Sequence, residues 1–426
     1  MLNESVTKSA EIPRYSRERL VAPERGILVE GNERIASAMP MKMVMGNRFT
    51  LDGSAELERH LDSVCTQVRE GVRALVPASQ LDGLLLGGGY GRGEGGVLRT
   101  TAGDQPYNDL EFYVFVRGNA VLAERRYRAA LQELGHRLSP AAGLEVEFKV
   151  LTLDKLRHAA PSMFYYDLVT GHRWLMGDDT LLAGCEHHRA AGDIPLHEAT
   201  RLLMNRCSGL LFSAERLRRD DFGADEADFV GRNLAKIQLA LGDVLLTALG
   251  QYDWSCRDRH QRLLQGSNFD NPPWRDDVVR HHAAGVAFKL HPCRCTADRV
   301  ELAQRHTELS ALARQLWLWL ENRRLGTVFP SPRDYARSAV DKCPETSALR
   351  NRLVNARNFG PVAALAPSGG RYPRQRLFHA LCLLLWDEPA PSDATRLEGV
   401  QRELHTRATD FAGWVAAYEQ LWHRFN

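Results

Sequence analysis

Apolar residues recur at spacings of three and four between Ser54 and Leu75, at Leu57, Leu61, Val64, Val68, Val72 and Leu75. That rhythm predicts an amphipathic helix, with Ser54 as its cap, Glu56 and Glu58 in its first turn and Pro77 beyond its end. The period then shortens. Leu81 to Leu86 is an apolar run that stops at glycines, and Asp109 to Val116 is a second run closed by Gly118-Asn119; both predict strands. Leu144 to Leu151 alternates strictly, with Leu144, Val146, Phe148 and Val150 on one face and Glu145, Glu147 and Lys149 on the other. Helices are predicted over Ala120 to Leu138, where Leu122, Tyr127, Leu131 and Leu134 form a stripe, and over Leu153 to His158. Val97 to Asn108, punctuated by Gly103 and Pro106, reads as an exposed loop.

From about Pro195 the periods become long and helical. Helices are expected over Leu196 to Leu217, over Phe229 to Leu249 and over Ala297 to Arg323, the last two ended by Gly250 and Gly326. Shorter helices fall within Pro330 to Asn358, and Arg374 to Trp386 and Ala394 to Phe425 complete the chain. Residues 1 to about 25 are polar and lack periodicity, while Ile27-Leu28-Val29 and Met41 to Met45 fit edge strands or a flap. The expected fold class is α/β (α+β). An N-terminal extension covers residues 1–50, a small mixed-sheet domain 51–190 and an all-α domain 191–426.

A chain of 426 residues has room for two or three domains. With 44% hydrophobic and 25% charged residues it has the composition of a soluble globular protein. The formal net charge of +2 gives no electrostatic case for broad nucleic-acid binding, although a local basic cleft is compatible with it. No apolar run approaches the length of a membrane span, and the polar N-terminus does not resemble a signal peptide, so no membrane partner is expected. The eight cysteines are dispersed, and Cys207 and Cys382 sit inside helical apolar patterns. That usage fits buried free thiols in a reducing compartment and a cytoplasmic location.

The candidate chemistry lies at the end of the first strand. Leu84 to Gly96 reads Leu-Leu-Leu-Gly-Gly-Gly-Tyr-Gly-Arg-Gly-Glu-Gly-Gly, and the next strand opens Asn-Asp-Leu-Glu-Phe. Strand periodicity puts Asp109 and Glu111 on one face. Two neighbouring carboxylates repel unless a cation lies between them, and glycine leaves backbone N–H groups accessible to phosphate. Gly91, Gly93 and Gly96 also satisfy G-x-G-x-x-G, the dinucleotide fingerprint. That fingerprint should open a helix and place its acid at the end of the next strand. Here Gly103 and Pro106 interrupt any helix, and the acids stand at the strand's start.

Gly88-Gly89-Tyr90-Gly91-Arg92-Gly93, followed by Asp109-Leu110-Glu111-Phe112, resembles the polymerase-beta-like nucleotidyltransferase superfamily. Val146 to Leu151 is similar to the strand that carries the superfamily's third acid, which makes Glu147 the match and Glu145 the fallback. The similar segment covers roughly residues 80 to 180. The stretch between Gly89 and Asp109 is longer than usual, and two of the three acids are Glu. The resemblance implies that residues 51–190 are a nucleotidyltransferase domain that moves a nucleoside monophosphate, AMP in the first instance, from an NTP such as ATP to an acceptor hydroxyl. Asp109, Glu111 and Glu147 would hold two Mg²⁺ ions, with Mn²⁺ as a substitute. Gly88 and Gly89 would contact the outer phosphates. Arg92 would reach a phosphate, or pair with Asp109 or Glu94. Glu94 reads as a solvated or loop-pairing residue.

Related transferases place a cation from a helical domain over the triphosphate, and Arg206 and Lys236 interrupt apolar helical patterns in a similar way. The alternative is a structural Arg206–Asp243 or Lys236–Asp243 pair between packed helices. The acceptor would be a small molecule or protein before an RNA end. A non-catalytic nucleotide- or partner-binding protein of the same fold, antitoxin-like, is the rival reading. His291-Pro292-Cys293-Arg294-Cys295 lacks the C-x₂₋₄-C spacing of structural zinc. Arg374 and His379 carry the R-x₄-H spacing of some helical ribonucleases, which is common by chance, and the tryptophans lie in helical core patterns.

Overall fold

The computed structural model describes residues 48–266, 272–387 and 394–426. The runs Ile27-Leu28-Val29 and Met41 to Met45 therefore lie outside the described residues. The chain is a mixed α/β protein with a small mixed sheet and many helices. Its main sheet has the order β5-β4-β1-β6, built from β1 (Leu81–Leu86), β4 (Asp109–Val116), β5 (Glu145–Leu151) and β6 (Arg173–Met176). β4 and β5 run parallel, whereas β1 is antiparallel to both β4 and β6.

The helix α1 (Ala55–Leu75) begins where Ser54 Oγ accepts the Leu57 N–H at 3.2 Å, as its capping pattern predicts. Its stripe packs with α3 (Ala120–Ala142) on one face of the sheet, so that Leu61, Val68, Leu131 and Leu134 bury Leu110, Phe112, Val114 and Val116. Each such side chain contributes roughly 1.5–3 kcal/mol on burial. α3 runs past its expected end through Pro140, stopping before the left-handed Gly143. The other face carries Leu85, Tyr113 and Phe115 against Leu156, Tyr165 and Leu168, from α4 (Leu153–His158) and α5 (Met163–Thr170). Phe49 and Thr50 are already buried against this unit, with Thr50 bridged to Gly95.

Val97 to Asn108 is not an open loop. It contributes most of a hairpin of β2 (Gly96–Thr100) and β3 (Gly103–Tyr107) behind the one-turn helix α2 (Gly88–Gly91). Only a two-residue turn separates Thr100 from Gly103, whose φ of +113° suits glycine. The hairpin escapes an apolar pattern because it buries one large apolar side chain, Val97. Polar contacts hold it instead: the Tyr90 hydroxyl donates to Gly96 O at 2.8 Å and accepts the Tyr107 N–H at 2.7 Å.

From Leu196 onward the described chain is helical. The helices are α6 (Leu196–Arg216), α7 (Ala224–Ala248), α8 (Cys256–Gln265), α9 (Arg275–Leu290), α10 (Arg299–Leu325), α11 (Pro332–Arg337), α12 (Ala348–Phe359), α13 (Pro361–Leu365), α14 (Arg374–Leu385), α15 (Ala394–Leu404) and α16 (Phe411–Phe425). α7 is central, packing on α6, α9 and α10 through Val230, Leu234, Ile237, Leu241 and Val244. It starts five residues before Phe229, in a charged turn where Glu226 accepts the Gly223 N–H at 3.3 Å. The segment Ala394 to Phe425 forms two helices. His405, at φ +50°, follows the end of α15, and Asp410 caps α16 by accepting the Gly413 N–H at 2.7 Å. Cys65, Cys185, Cys207, Cys256, Cys343 and Cys382 are buried free thiols, as the sequence suggested; Cys293 is exposed. No described helix is long and apolar enough to cross a membrane.

Candidate functional site

The Gly87 N–H donates to Glu111 O at 2.9 Å, which hangs the glycine loop on β4. Gly88 then adopts φ +60°, and a Cβ there would lie 3.3 Å from Glu111 Oε1. The turn thus passes directly over the Glu111 carboxylate, and the N–H groups of Gly88 and Gly89 meet no acceptor among the described residues. The long helix that a dinucleotide fingerprint requires is absent from this position, where the β2–β3 hairpin stands.

The parallel register sets Asp109 opposite Glu145, Glu111 opposite Glu147 and Tyr113 opposite Lys149, all on one face. Asn108, in a left-handed conformation at φ +82°, donates from Nδ2 to Asp109 Oδ1 at 2.5 Å. Burial, and next the charge of Glu111, push the Asp109 carboxyl up. Glu147 is likewise raised, by burial and then by Asp109, Glu145 and Glu111, with Lys149 opposing. Burial works to raise Glu111 too, but Lys149, the Tyr113 hydroxyl and Arg92 outweigh it and hold that carboxyl low. Tyr113 donates to Glu111 Oε2 at 2.5 Å, and Lys149 Nζ lies 3.5 Å from the same oxygen. Among the described residues no three His, Cys, Asp or Glu side chains converge as a ready-made metal cage. The raised acids are nonetheless in a state that a divalent cation relieves: half-buried, alike in charge and only partly offset by Lys149.

Arg92 departs from the sequence reading. It pairs with neither Asp109 nor Glu94: its guanidinium lies 3.1 Å from Asp167 Oδ2 and donates to Trp254 O at 2.8 Å. The arginine is therefore committed to fastening the loop to the segment before α8, and it does not extend freely toward a phosphate. Glu94 is loop-pairing and not solvated. It accepts from Ser255 Oγ at 2.7 Å and from the Cys256 N–H at 2.9 Å, capping α8 from across the molecule.

Asp243 is likewise not paired with Arg206 or Lys236. Its Oδ1 lies 2.6 Å from Arg259 Nε and 3.1 Å from His282 Nε2. Arg259 continues to the Tyr252 hydroxyl at 3.2 Å, which donates to Asp167 at 3.3 Å. Asp243, Arg259, Tyr252, Asp167 and Arg92 thus form one buried polar chain from α7 to the glycine loop. With Asp243 in contact with Arg259 and His282, Arg206 and Lys236 have no hydrogen-bond or ion-pair partner among the described residues. Burial lowers both; the charge of Asp243 opposes this for Arg206, and for Lys236 the charges of Arg206 and Arg232 add to it while Asp109 opposes them. Lys236 therefore stands within electrostatic reach of the acidic strand. Lys289, near the end of α9, is a further cation that acts on the acidic strand: it is lowered by burial and then by Arg92, and its charge acts on Asp109. No helical signal marked that stretch in the sequence, so only the fold reveals it. Lys149 was visible as a member of the acidic face, but its contact with Glu111 was not.

The remaining candidates are structural. Arg374 donates to Phe425 O at 2.9 Å, and His379 Nδ1 faces Glu403 at 3.6 Å, both side chains buried. Trp317 is wholly buried in the helical core. No family model, no curated protein and no solved structure matches the chain.

Proposed function

We propose that the chain transfers a nucleoside monophosphate, AMP from ATP, to an acceptor hydroxyl. One arrangement carries the reading. Asp109, Glu111 and Glu147 share one face of the β4–β5 pair, with Gly88 over Glu111, and the unpaired Lys236 lies within electrostatic reach of Asp109, with Arg206 beside it. Acids and nearby cations of this kind suit a ligand that is itself a metal–polyphosphate complex. In this reading residues 51–190 are the nucleotidyltransferase domain, and 191–426 close the cleft and select the acceptor, in a cytoplasmic protein.

Asp109, Glu111 and Glu147 would hold Mg²⁺, which supplies Lewis acidity at the phosphate and acidifies the acceptor hydroxyl. The chain's own groups do the rest. The Gly88 and Gly89 N–H groups contact outer phosphate oxygens, and Arg206 and Lys236 neutralise the triphosphate tail. The acceptor hydroxyl gives up its proton to solvent, its oxygen bonds to the α-phosphorus, the bond from that phosphorus to the α–β bridging oxygen breaks, and pyrophosphate leaves toward those cations. Arg92 and Glu94 keep the glycine loop in place. The test is incubation with α-labelled ATP, Mg²⁺ and candidate acceptors, small molecules and proteins first. Label should move to the acceptor with release of pyrophosphate, and Asp109→Ala should abolish it; no transfer, with nucleotide binding unchanged in Asp109→Ala, defeats the proposal.

The Lys149–Glu111 contact of 3.5 Å favours a second reading, in which a lysine replaces the metal and the fold binds nucleotide or a partner without turnover, in the manner of an antitoxin. Nucleotide affinity that is indifferent to Mg²⁺ would select it.

A further inference from the structure

Helix α12 rests on the helical core through the partly buried Val354 and Phe359, and its two fully buried side chains are polar: Asn351 and Asn355 are each 2% exposed. The Asn351 amide donates to Thr346 Oγ1 at 2.8 Å and Gly370 O at 2.9 Å, and that of Asn355 to Gly369 O at 2.8 Å and Arg371 O at 2.9 Å. Its outer side is aliphatic, with Leu349 and Leu353 74% and 68% exposed. α13 follows at once and adds Val362 and Leu365, both 81% exposed. Arg352 ties the two helices by donating to Ala364 O at 2.6 Å. Scattered exposed aliphatics are ordinary, but four within seventeen residues, over a helix that turns its asparagines inward, form a patch.

Along the chain segment that carries the patch, the charge has one sign. Arg352 and Arg357 are exposed on the same helix, and no Asp or Glu occurs from Thr346 to Trp386. We propose that the α12–α13 surface docks on an anionic lipid bilayer at the level of the headgroups. Side chains this exposed protrude; a groove that receives a peptide would partly bury its walls. Protruding aliphatics enter the boundary between headgroups and acyl chains, and the surrounding arginines meet lipid phosphates. A second copy of this face would set arginines against arginines. The contact is peripheral and requires no spanning helix. It rests on none of the residues assigned to the nucleotide.

The test is sedimentation of the full chain with vesicles of phosphatidylcholine alone or with about one-third phosphatidylserine, at low and high salt. Binding should be several-fold stronger to the anionic vesicles and should weaken with salt. Leu353→Glu combined with Leu365→Glu should reduce it roughly tenfold or more. Arg357→Glu should reduce it a few-fold. Both variants change exposed side chains, so an unchanged melting temperature verifies the fold. Equal recovery with both vesicle types, or binding indifferent to these substitutions, overturns the proposal. So does self-association without vesicle binding that Leu353→Glu abolishes, which would assign the face to a second copy.

Discussion

Lys149 Nζ lies 3.5 Å from Glu111 Oε2, on the strand directly beside it in the parallel register. The lysine is the nearest cation to the acidic face and is half exposed, so it is free to swing away. If Mg²⁺ takes its place during function, lysine and metal compete for one carboxylate. Lys149→Met should then strengthen Mg²⁺ or Mn²⁺ binding by roughly tenfold, because removing a unit charge at this separation is worth on the order of 1 kcal/mol in a wet site. Calorimetric titration of both proteins reads this directly. Equal, negligible metal binding by both would favour the non-catalytic reading.

The Asp109 carboxyl is raised by burial and by Glu111, and this has a stability consequence. A raised acid binds more protons folded than unfolded, so its ionisation penalises the fold. The penalty is absent below the ordinary aspartate range near pH 4 and sets in as pH rises through the folded value. Asp109→Asn should therefore raise the melting temperature at neutral pH while eliminating nucleotidyl transfer, and the gain should vanish in acid. A melting temperature lowered by this substitution at pH 7 would contradict the electrostatic description.

Glu94 has the opposite sign. Burial would raise its carboxyl, but the Ser255 hydroxyl and the Cys256 N–H outweigh burial and hold it low. Its contribution is present above the ordinary glutamate range and is lost as pH falls through the folded value. Glu94→Ala should cost about 2–3 kcal/mol at pH 7 in urea unfolding, since it uncaps α8 and leaves buried donors unpaired. The cost should shrink toward low pH.

Three strands, β1, β4 and β5, were legible because short apolar runs with alternation and glycine punctuation leave little choice of element. Period two put Asp109 and Glu111 on one face, and Glu147 came only from the resemblance; that β5 sets Glu147 opposite Glu111 was not legible. The β2–β3 hairpin was not legible, since it is held by the Tyr90 hydroxyl and not by an apolar face. Partner choice was the other gap. Sequence spacing offered Arg92 to Asp109 and Asp243 to Arg206, whereas tertiary packing delivered Asp167 and Arg259, which lie 75 residues from Arg92 and 16 from Asp243. Charge partners across packed elements leave no periodic trace.

The Asp243–Arg259 contact of 2.6 Å is almost fully buried, so each partner's charge depends on the other. Asp243→Asn or Arg259→Met alone should cost about 3–5 kcal/mol by leaving a charge buried without its counter-ion. The double variant should cost less than the sum of the two. Denaturant unfolding of the four proteins measures the coupling. Additive losses would mean that the pair does not hold the polar chain together.

Arg206 and Lys236 provide the sharpest separation of fold from function. Neither has an ion-pair partner among the described residues, and burial lowers both. A buried cation that no carboxylate pairs directly costs stability unless a ligand supplies the opposite charge. Lys236→Met and Arg206→Met should therefore leave the melting temperature equal or higher, in contrast to Asp243→Asn. Each should weaken ATP binding roughly tenfold, as expected for one charge-assisted phosphate contact of about 1.5 kcal/mol. Inorganic triphosphate should lose affinity in the same proportion, since the contact is to the phosphates and not the base. Unchanged affinity for ATP and triphosphate in both variants would remove these cations from the nucleotide site and leave the acidic face without its counterpart.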